Sequence, residues 1–240
     1  MYSFRARHGP VDLSFTDRLG GVSAVPFDSL NLALEGDDDP AACAANLRIV
    51  LDDFAPGDQL ADLHQVHGCD VVTPAVGATD GAPPDADGIV TDRPGVVLMV
   101  RAADCVPVLL ADAEAGVVGA AHAGRPGLAE KVVPATLARM RELGATQVTA
   151  WIGPHVCGAC YEVPAAMRDE VGAVVPDAVA TTSWGTPSLD LGAGVRAQLA
   201  AEGVTVVDAA RCTRESADLY SYRRDGRRAG RQAGLVRIRP

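Results

Sequence analysis

The chain has 240 residues, 48% of them hydrophobic and 22% charged, which is typical of a globular protein. Its formal charge of −10 argues against a general nucleic-acid-binding face, because binding phosphates needs clustered lysines and arginines. The chain has no run of about 18 uninterrupted apolar residues and no signal-peptide core at its N-terminus, so we expect a cytoplasmic protein without a membrane span.

The first predicted element is a helix at about 40–53. Asp39 can cap its N-terminus, Pro40 fits its first turn, and apolar residues recur at helical spacing. The next segment, 59–73, is predicted to be extended and to be broken by a turn at Gly68, since glycine permits sharp turns.

Residues 88–122 are rich in valine, leucine and isoleucine, which predicts several consecutive buried strands. Beyond them, helices and strands are mixed. Helices are predicted at about 126–143, 164–174 and 190–202, and strands at 147–153, 204–209 and 234–238. Because strands cluster before they mix with helices, the predicted fold class is α+β. The loop-like patches at 35–40 and 77–87 are too short to be clear domain linkers.

Cys105 and His122 each end an apolar run, and the stretch between them has the pattern of a strand, a turn and a second strand. If these strands pair as a hairpin, the far ends need not meet, although a mixed sheet or a crossover could still bring the two side chains together. A lone cysteine between apolar strands is more often a small buried hydrophobe than a ligand.

A third candidate ligand lies in HQVHGCD at 64–70. His64 and His67 would point to opposite faces of an extended segment, so only one could join a common site. His67 is favoured because Gly68 follows it and permits a sharp turn. Two imidazoles and one thiolate suit zinc, and three protein ligands with an open position are the catalytic arrangement.

A rival site is the segment PHVCGAC at 154–160, which contains His155 and the pair Cys157 and Cys160. Such a C-x-x-C pair often binds zinc or cycles as a dithiol. The zinc nucleobase deaminases use H-x-E followed by P-C-x-x-C, but here His122 is followed by Ala-Gly and the glutamate is missing. Two structural thiols are therefore the favoured interpretation.

Several segments together, in order, resemble the YfiH (DUF152) family, also called the laccase-domain family. They are FTDRLGGVS at 15–23, SLNLA at 29–33, GDDDPAACAANL at 36–47, QVHG at 65–68, DGIVTD at 87–92, ADCVPVLLAD at 103–112, AAHAG at 120–124, IGP at 152–154, YEV at 161–163, LDL at 189–191 and YSYRRDG with GRQA at 220–233. The resemblance covers essentially the whole chain. It implies a single domain, 1–240, folded as a mixed β-sandwich with flanking helices.

The resemblance also implies a site and an activity. The family's metal ligands correspond to His67, Cys105 and His122, which are the expected catalytic residues here. Family members are linked to phosphorolysis of adenosine, inosine and methylthioadenosine, to adenosine deamination, and to peptidoglycan editing. We therefore expect a zinc enzyme acting on purine nucleosides and phosphate. Copper is less favoured, because five histidines are too few for a blue-copper and trinuclear set.

Phosphorolysis needs cations to hold phosphate and an acid to protonate the leaving base. The candidates for binding phosphate or substrate are Arg18, Arg125, Arg223 and Arg224. Arg125 stands where the family commonly has the tryptophan of H-A-G-W-R-G, since this chain reads HAGRPG. Glu162 or Asp104 could act as the acid or base.

Two other classes of function fit the same residues. In the first, Cys105 is a nucleophile activated by His122 and hydrolyses an amide or ester in a cell-wall precursor. In the second, the protein is a non-enzymatic binding module for nucleotides or for partners in cell division. Tightly bound stoichiometric zinc would oppose the free nucleophile, and loss of Cys105 without phenotype would favour the binding module.

Overall fold

Two large β-sheets pack against each other and carry helices on their outer faces in the computed structural model, which describes residues 1–74 and 82–240. Residues 77–81 of the loop-like patch at 77–87 lie outside the described residues. Among the described residues, no helix combines the length and the apolar composition needed to cross a membrane.

The described strands are β1 (Tyr2–His8), β2 (Val11–Thr16), β3 (Gln59–Ala61), β4 (Val71–Val72), β5 (Gly88–Thr91), β6 (Val96–Ala102), β7 (Val106–Asp112), β8 (Val117–Ala123), β9 (Thr149–Ile152), β10 (Val179–Thr181), β11 (Pro187–Leu189), β12 (Thr205–Asp208) and β13 (Gln232–Ile238). The described α-helices are α1 (Pro40–Phe54), α2 (Arg125–Ala129), α3 (Val132–Glu142), α4 (Ala165–Val174), α5 (Leu191–Ala201) and α6 (Tyr222–Asp225).

The first sheet has the strand order β1-β2-β13-β6-β3, and the second has the order β12-β9-β7-β8-β5-β4. A third, small sheet pairs β10 with β11. Both large sheets are mixed, since β3 is parallel to β6, and β12 is parallel to β9, while the central pairs are antiparallel. This arrangement confirms the α+β class.

Strand alternation divides the apolar side chains between the layers. In β6, Leu98 and Val100 pack into the core between the two sheets, whereas Val97 and Met99 pack toward α1. In the second sheet, Val108 and other buried residues pack under α3, α4 and α5. Because β5, β6, β7 and β8 are buried on both faces, their sequences are nearly continuous apolar runs.

Most predicted elements are confirmed. The first helix begins as expected, with Asp39 as N-cap accepting a hydrogen bond from the Ala41 amide and Pro40 in the first turn. The consecutive strands of 88–122 are confirmed as β5 to β8. The continuous helix at 126–143 is wrong, because Lys131 has a φ of 66° and this left-handed residue separates α2 from α3.

The hairpin of β1 and β2 was not predicted. Its second strand nevertheless alternates, since Val11, Leu13 and Phe15 are buried apolar residues two positions apart. The alternation of β1 is less regular, because its pairing with β2 shifts between Tyr2 and Phe4.

Asp112, at the end of β7, ties two turns to the second sheet. Its Oδ1 accepts hydrogen bonds from the amides of Glu114 and Ala115 at 3.1 and 2.9 Å, and its Oδ2 accepts from those of Thr146 and Gln147 at 2.7 and 2.8 Å. Burial opposes ionisation, but these four amides outweigh it and hold the pKa of the Asp112 carboxyl below its usual value.

We expect Asp112→Asn to lower the free energy of unfolding at pH 7 by about 1–3 kcal/mol, because the new amide cannot accept all four bonds and leaves buried N–H groups unsatisfied. The folded-state pKa of Asp112 is lowered, so its contribution is full above the unfolded value of about 3.9 and is lost as the pH falls further. Urea unfolding of both proteins from pH 7 to pH 3 should therefore show a shrinking difference. Asp52→Asn, at an exposed helix position, is the matched control. A difference that does not change with pH would contradict the proposed role of the charge.

Candidate active site

Cys105 and His122 meet at the open end of a hairpin. Strands β7 and β8 are antiparallel, with Pro107 opposite His122 and Val106 opposite Ala123. Cys105 immediately precedes β7, so the pairing itself places its thiol beside the His122 ring. The sequence left open whether a hairpin would bring these residues together, and the pairing does so because they flank its open end rather than its turn.

His67 reaches the same place from a turn before β4. The residue itself has a φ of 63°, so the turn is centred on His67 rather than on Gly68. Its Nε2 lies 3.8 Å from the Cys105 Sγ, and its ring meets the His122 ring edge-on with centroids 4.9 Å apart. His64 does not join this group, since its Nδ1 contacts the exposed Asp85 carboxylate at 2.7 Å.

Asp87, just before β5, connects these pieces. Its Oδ1 accepts a hydrogen bond from His122 Nδ1 at 2.8 Å, and its backbone oxygen accepts one from the His122 amide. Its Oδ2 accepts bonds from the amides of Val66 and Gly68, on either side of His67. The carboxylate is fully buried, and these bonds hold its pKa low although burial opposes its ionisation.

The Cys105 thiol and the His122 ring perturb each other's ionisation. Burial alone would raise the pKa of Cys105, but His122 and His67 lower it to about 6. Burial alone would lower the pKa of His122, but the Cys105 thiolate and Asp87 raise it to about 9. At neutral pH and without a metal ion, the favoured state is therefore a thiolate beside an imidazolium.

These three side chains fit a metal ion. The donor atoms of His67, Cys105 and His122 all lie within 4.8 Å of one another, and the set of two nitrogens and one sulfur suits zinc. Because Nδ1 of His122 is bound to Asp87, its Nε2 is left as the donor, which is the usual carboxylate–histidine arrangement at metal sites. His67 is exposed, so the group opens on one side to solvent.

Gly124 is a close neighbour of this group. A Cβ at this position would lie 2.6 Å from Cδ2 of His67 and 3.2 Å from the Cys105 Sγ. Its φ is −75°, so the constraint is space rather than backbone conformation. The glycine of the HAG motif therefore leaves room for the two side chains.

A cleft of about 640 Å³ opens beside the three side chains. It is lined by chemically distinct groups. Besides His67, Cys105 and His122, called the His/Cys group below, these include the arginines Arg101, Arg223 and Arg231, the tyrosines Tyr161 and Tyr222, the acidic residues Glu35 and Asp104, and Gln65. A flat aromatic molecule with an anionic part is the kind of ligand that such a wall can bind.

Of the four predicted arginines, the structure brings Arg223 to the cleft. Its guanidinium lies over the Tyr161 ring, 4.4 Å from the centroid, and donates a hydrogen bond to the Glu162 carbonyl. Its backbone amide donates to Asp104 Oδ2 at 2.6 Å, and Asp104 Oδ1 accepts from the Thr213 hydroxyl at 2.5 Å.

Asp104 is therefore a connector between chain segments rather than a free acid or base. It is buried and has a φ of 93°, a conformation that costs energy outside glycine. The other suggested acid, Glu162, is exposed and accepts a hydrogen bond from Trp184 Nε1 at 3.0 Å.

Arg18, Arg125 and Arg224 are not among the described residues that line the cleft. Arg18 donates to the Asp28 carbonyl and lies over the Tyr220 ring. The Arg224 guanidinium donates to backbone carbonyls of its own region, those of Thr213, Ser216 and Leu219. Arg125 begins α2, directly after the HAG motif.

Sequence reasoning missed Arg231 and Arg101. Burial lowers the pKa of Arg231, whose guanidinium bonds only to the carbonyls of Ala229 and Gly230 among the described residues. It belongs to the GRQA segment of the arginine-rich basic cluster at 220–234, but nothing in that segment distinguishes it from its neighbours. Arg101 lies in β6 and forms a buried ion pair with Asp62.

The candidate residues of the rival segment at 154–160 do not form one site in the structure. His155 is buried, and its Nδ1 donates to the Gly153 carbonyl at 2.8 Å. Cys157 and Cys160 lie instead beside two residues that sequence reasoning did not connect with them, Cys212 and Glu215. All six cysteines are free.

Comparisons with known proteins agree with the family resemblance of the sequence motifs. The family model described as multi-copper polyphenol oxidoreductase laccase matches residues 12–239. A purine nucleoside phosphorylase of Streptomyces coelicolor is 52% identical over 92% of this chain and 93% of its own length. A purine nucleoside phosphorylase of Corynebacterium glutamicum is 43% identical over 98% of both chains.

Solved structures show the same likeness. A Neisseria meningitidis protein of family DUF152 has a TM-score of 0.87 and 34% identity and covers 99% of both chains. YlmD from Geobacillus stearothermophilus has a TM-score of 0.87 and 32% identity, covering 100% of this chain and 99% of its own. These likenesses confirm the resemblance found in the sequence motifs.

We expect Asp87→Asn to weaken zinc binding about 10–100-fold, because an amide cannot accept bonds from both His122 and the turn around His67. Competition with a chromophoric chelator measures the affinity. Asp92→Asn, which removes an exposed carboxylate a few residues further on, is the matched control. Equal affinities of the two variants would contradict the role of Asp87.

Gly124→Ala tests whether the space beside His67 matters. The added methyl group should displace the His67 ring, so zinc affinity should fall about tenfold or more while the fold is retained. Chelator competition and thermal unfolding measure the two quantities. Unchanged zinc affinity in Gly124→Ala would show that the ring has room to move.

Proposed function

Because the chain belongs to the multi-copper polyphenol oxidoreductase laccase family, and because relatives similar to it are named purine nucleoside phosphorylases, we propose that it is a zinc-dependent purine nucleoside phosphorylase. The observation that carries the proposal is the cleft, in which the group His67, Cys105 and His122 faces the same space as Arg223 and Arg231. A set of possible metal ligands beside two guanidinium groups is suited to binding a nucleoside together with phosphate.

Phosphorolysis forms a bond between a phosphate oxygen and C1′ of the ribose and breaks the bond between C1′ and the purine nitrogen. The products are ribose 1-phosphate and the free base, which takes up a proton as it leaves. The chain must therefore hold phosphate beside the sugar and support the departing base.

Arg223 and Arg231 are the proposed phosphate ligands, since guanidinium groups bind phosphate through paired hydrogen bonds. The Arg231 guanidinium is held in place by neighbouring carbonyls, so it is oriented before phosphate arrives. The Arg223 guanidinium is held against the Tyr161 ring. Arg125, at the first turn of α2, is a further proposed contact, whereas Arg18 and Arg224 are occupied elsewhere.

The aromatic wall is the proposed purine site. Tyr222 is half exposed at the cleft, so its ring is free to stack on a base. Burial raises the pKa of the Tyr161 phenol, so the phenol stays protonated at neutral pH and can donate a hydrogen bond to the leaving purine.

His67, Cys105 and His122 are the proposed zinc ligands and catalytic residues. Bound there, zinc would supply a Lewis acid at one end of the cleft. Asp87 keeps His122 oriented with its Nε2 toward that position. The family's description mentions several coppers, but His8 packs against Trp151, and His64 and His155 lie outside the group, so two imidazoles and one thiolate are what the site offers.

Adenosine deamination is a second proposed activity of the same cleft. It replaces the amino group at C6 of the purine with oxygen from water and releases ammonia. Its support is the group of one thiolate and imidazoles, a ligand type that nucleobase deaminases also use. Because it needs no phosphate, the two activities are separable by their products.

The alternative is a Cys–His hydrolase acting on an amide or ester of a peptidoglycan precursor. Its support is the series Cys105, His122 and Asp87, in which His122 lowers the thiol pKa and the carboxylate orients the ring. In a hydrolase the thiolate is free, so iodoacetamide should alkylate Cys105 in the protein as purified. Stoichiometric zinc that blocks this alkylation would contradict the alternative.

Product analysis tests the main proposal. With adenosine and phosphate, the protein should yield adenine and ribose 1-phosphate, and any inosine formed without phosphate reports deamination. Cys105→Ala should lose at least about 100-fold in rate, since it removes a proposed ligand. Cys43→Ala changes a cysteine outside the cleft and is the matched control. Turnover by folded Cys105→Ala equal to that of the unaltered protein would overturn the proposal.

A second prediction concerns phosphate. Arg231→Gln and Arg223→Gln should each raise the KM for phosphate about tenfold or more, because each removes a charged hydrogen-bond donor worth about 1.5–3 kcal/mol. Arg227→Gln, an exposed arginine of the same basic cluster, is the control. Initial rates at varied phosphate measure the effect. A KM that rises only for adenosine would reassign these arginines to the nucleoside.

A further inference from the structure

A second group of side chains that could bind a metal ion lies apart from the His/Cys group. It consists of the thiols of Cys157, Cys160 and Cys212 and the carboxylate of Glu215, whose ligand atoms all lie within 4.8 Å of one another. From this convergence we infer a second, structural zinc site, distinct from the proposed catalytic centre.

The topology explains why these residues meet. Strands β9 and β12 are parallel neighbours, so the loops that follow them leave the sheet side by side. The pairing continues beyond the strands as a parallel bridge between His155 and Cys212. The two halves of the group are thus 55 residues apart in sequence but adjacent in space.

Each half is an i, i+3 pair on a tight turn. In the first, the Cys160 amide donates to the Cys157 carbonyl at 2.9 Å. In the second, the Ser216 amide donates to the Cys212 carbonyl at 3.0 Å, which folds the chain so that Glu215 returns toward Cys212. Two such turns, C-x-x-C and C-x-x-E, present four donors, the number that a structural zinc site takes.

The donor distances suit a zinc ion. With Zn–S bonds of about 2.3 Å, the sulfurs of a tetrahedral site lie about 3.8 Å apart. The Cys160 Sγ is 3.3 Å from Glu215 Oε1, and all four ligand atoms lie within 4.8 Å of one another. Small side-chain movements would therefore bring all four donor atoms within bonding distance of one zinc ion.

Charge balance is also compatible with zinc. On binding, zinc would replace the protons of the three thiols, and the cation would hold the resulting thiolates and the carboxylate together. Zinc with three thiolates and one carboxylate would carry a net negative charge, and nearby guanidinium groups offset it, since Arg214 donates to the Cys160 carbonyl and Arg224 donates to the Thr213 carbonyl. A disulfide would use two of the sulfurs and leave the third thiol and Glu215 without a role.

The site would join two loops that build the cleft. The first loop contains Tyr161, and its Val156 amide donates to the Asp104 carbonyl. The second contains Thr213, whose hydroxyl donates to the Asp104 carboxylate, next to Cys105. Zinc bound between the loops would fix their spacing and so hold this wall of the cleft in position.

Metal content is the first test. The double variant His67→Ala/Cys105→Ala removes the proposed catalytic site but should retain about one zinc per chain, measured by mass spectrometry of metals after exhaustive dialysis. Adding Cys212→Ser to it should remove this zinc, whereas adding Cys43→Ser, a matched change outside both groups, should not. Because the catalytic ligands are absent, the result does not depend on the proposed function. Absence of zinc from the folded double variant, or iron in its place, would overturn the inference.

Coordination and redox state are tested without Cys212→Ser, which covers the case in which that variant fails to fold. Cobalt introduced in place of zinc into the double variant should give the intense absorption of a thiolate-bound tetrahedral site. Glu215→Gln should keep the three sulfurs and weaken zinc binding about tenfold or more, as read by chelator competition. An intact mass lower by two hydrogens under reducing-agent-free, anaerobic purification, abolished by reductant, would assign a disulfide and contradict the zinc site.

Discussion

The buried carboxylate of Asp87 is the interaction on which the candidate active site depends. It bonds both to the His122 ring and to the amides on both sides of His67, so two proposed ligands, one from a strand and one from a turn, share one anchor. Its place at the start of β5, beside β8, is what puts it between them. A buried carboxylate is stable there only because every bond it makes favours the charged form.

The site also holds two non-glycine residues in the left-handed region, His67 and Asp104. Such conformations cost of order 1–3 kcal/mol and persist where the surroundings fix them. Around His67 the fixing contacts come from Asp87, and around Asp104 they come from Thr213 and the Arg223 amide. These contacts help to determine the positions of the thiol, the two imidazoles and Arg223, and the inferred second zinc site would brace the segment that contains Thr213.

Local signals predicted much of the architecture. Asp39 and Pro40 mark the start of α1 because capping and proline geometry act within a few residues. The apolar runs at 88–122 predict strands because the strands β5 to β8 are covered on both faces. The break at Lys131 escaped prediction, since apolar residues continue at helical spacing on both sides of it. The hairpin of β1 and β2 was missed although Val11, Leu13 and Phe15 carry its alternation.

The sequence by itself determined the fold class, the family and the choice of His67, Cys105 and His122 as candidate ligands, because motifs and periodicity are local properties of the chain. Only the tertiary structure decided that Asp87 anchors two of them, that Arg231 faces the cleft while Arg18 does not, and that Cys157 and Cys160 meet Cys212 and Glu215. Those relations join segments tens of residues apart or more. They follow from which strands are neighbours, and strand order is set by the packing of both sheets as a whole.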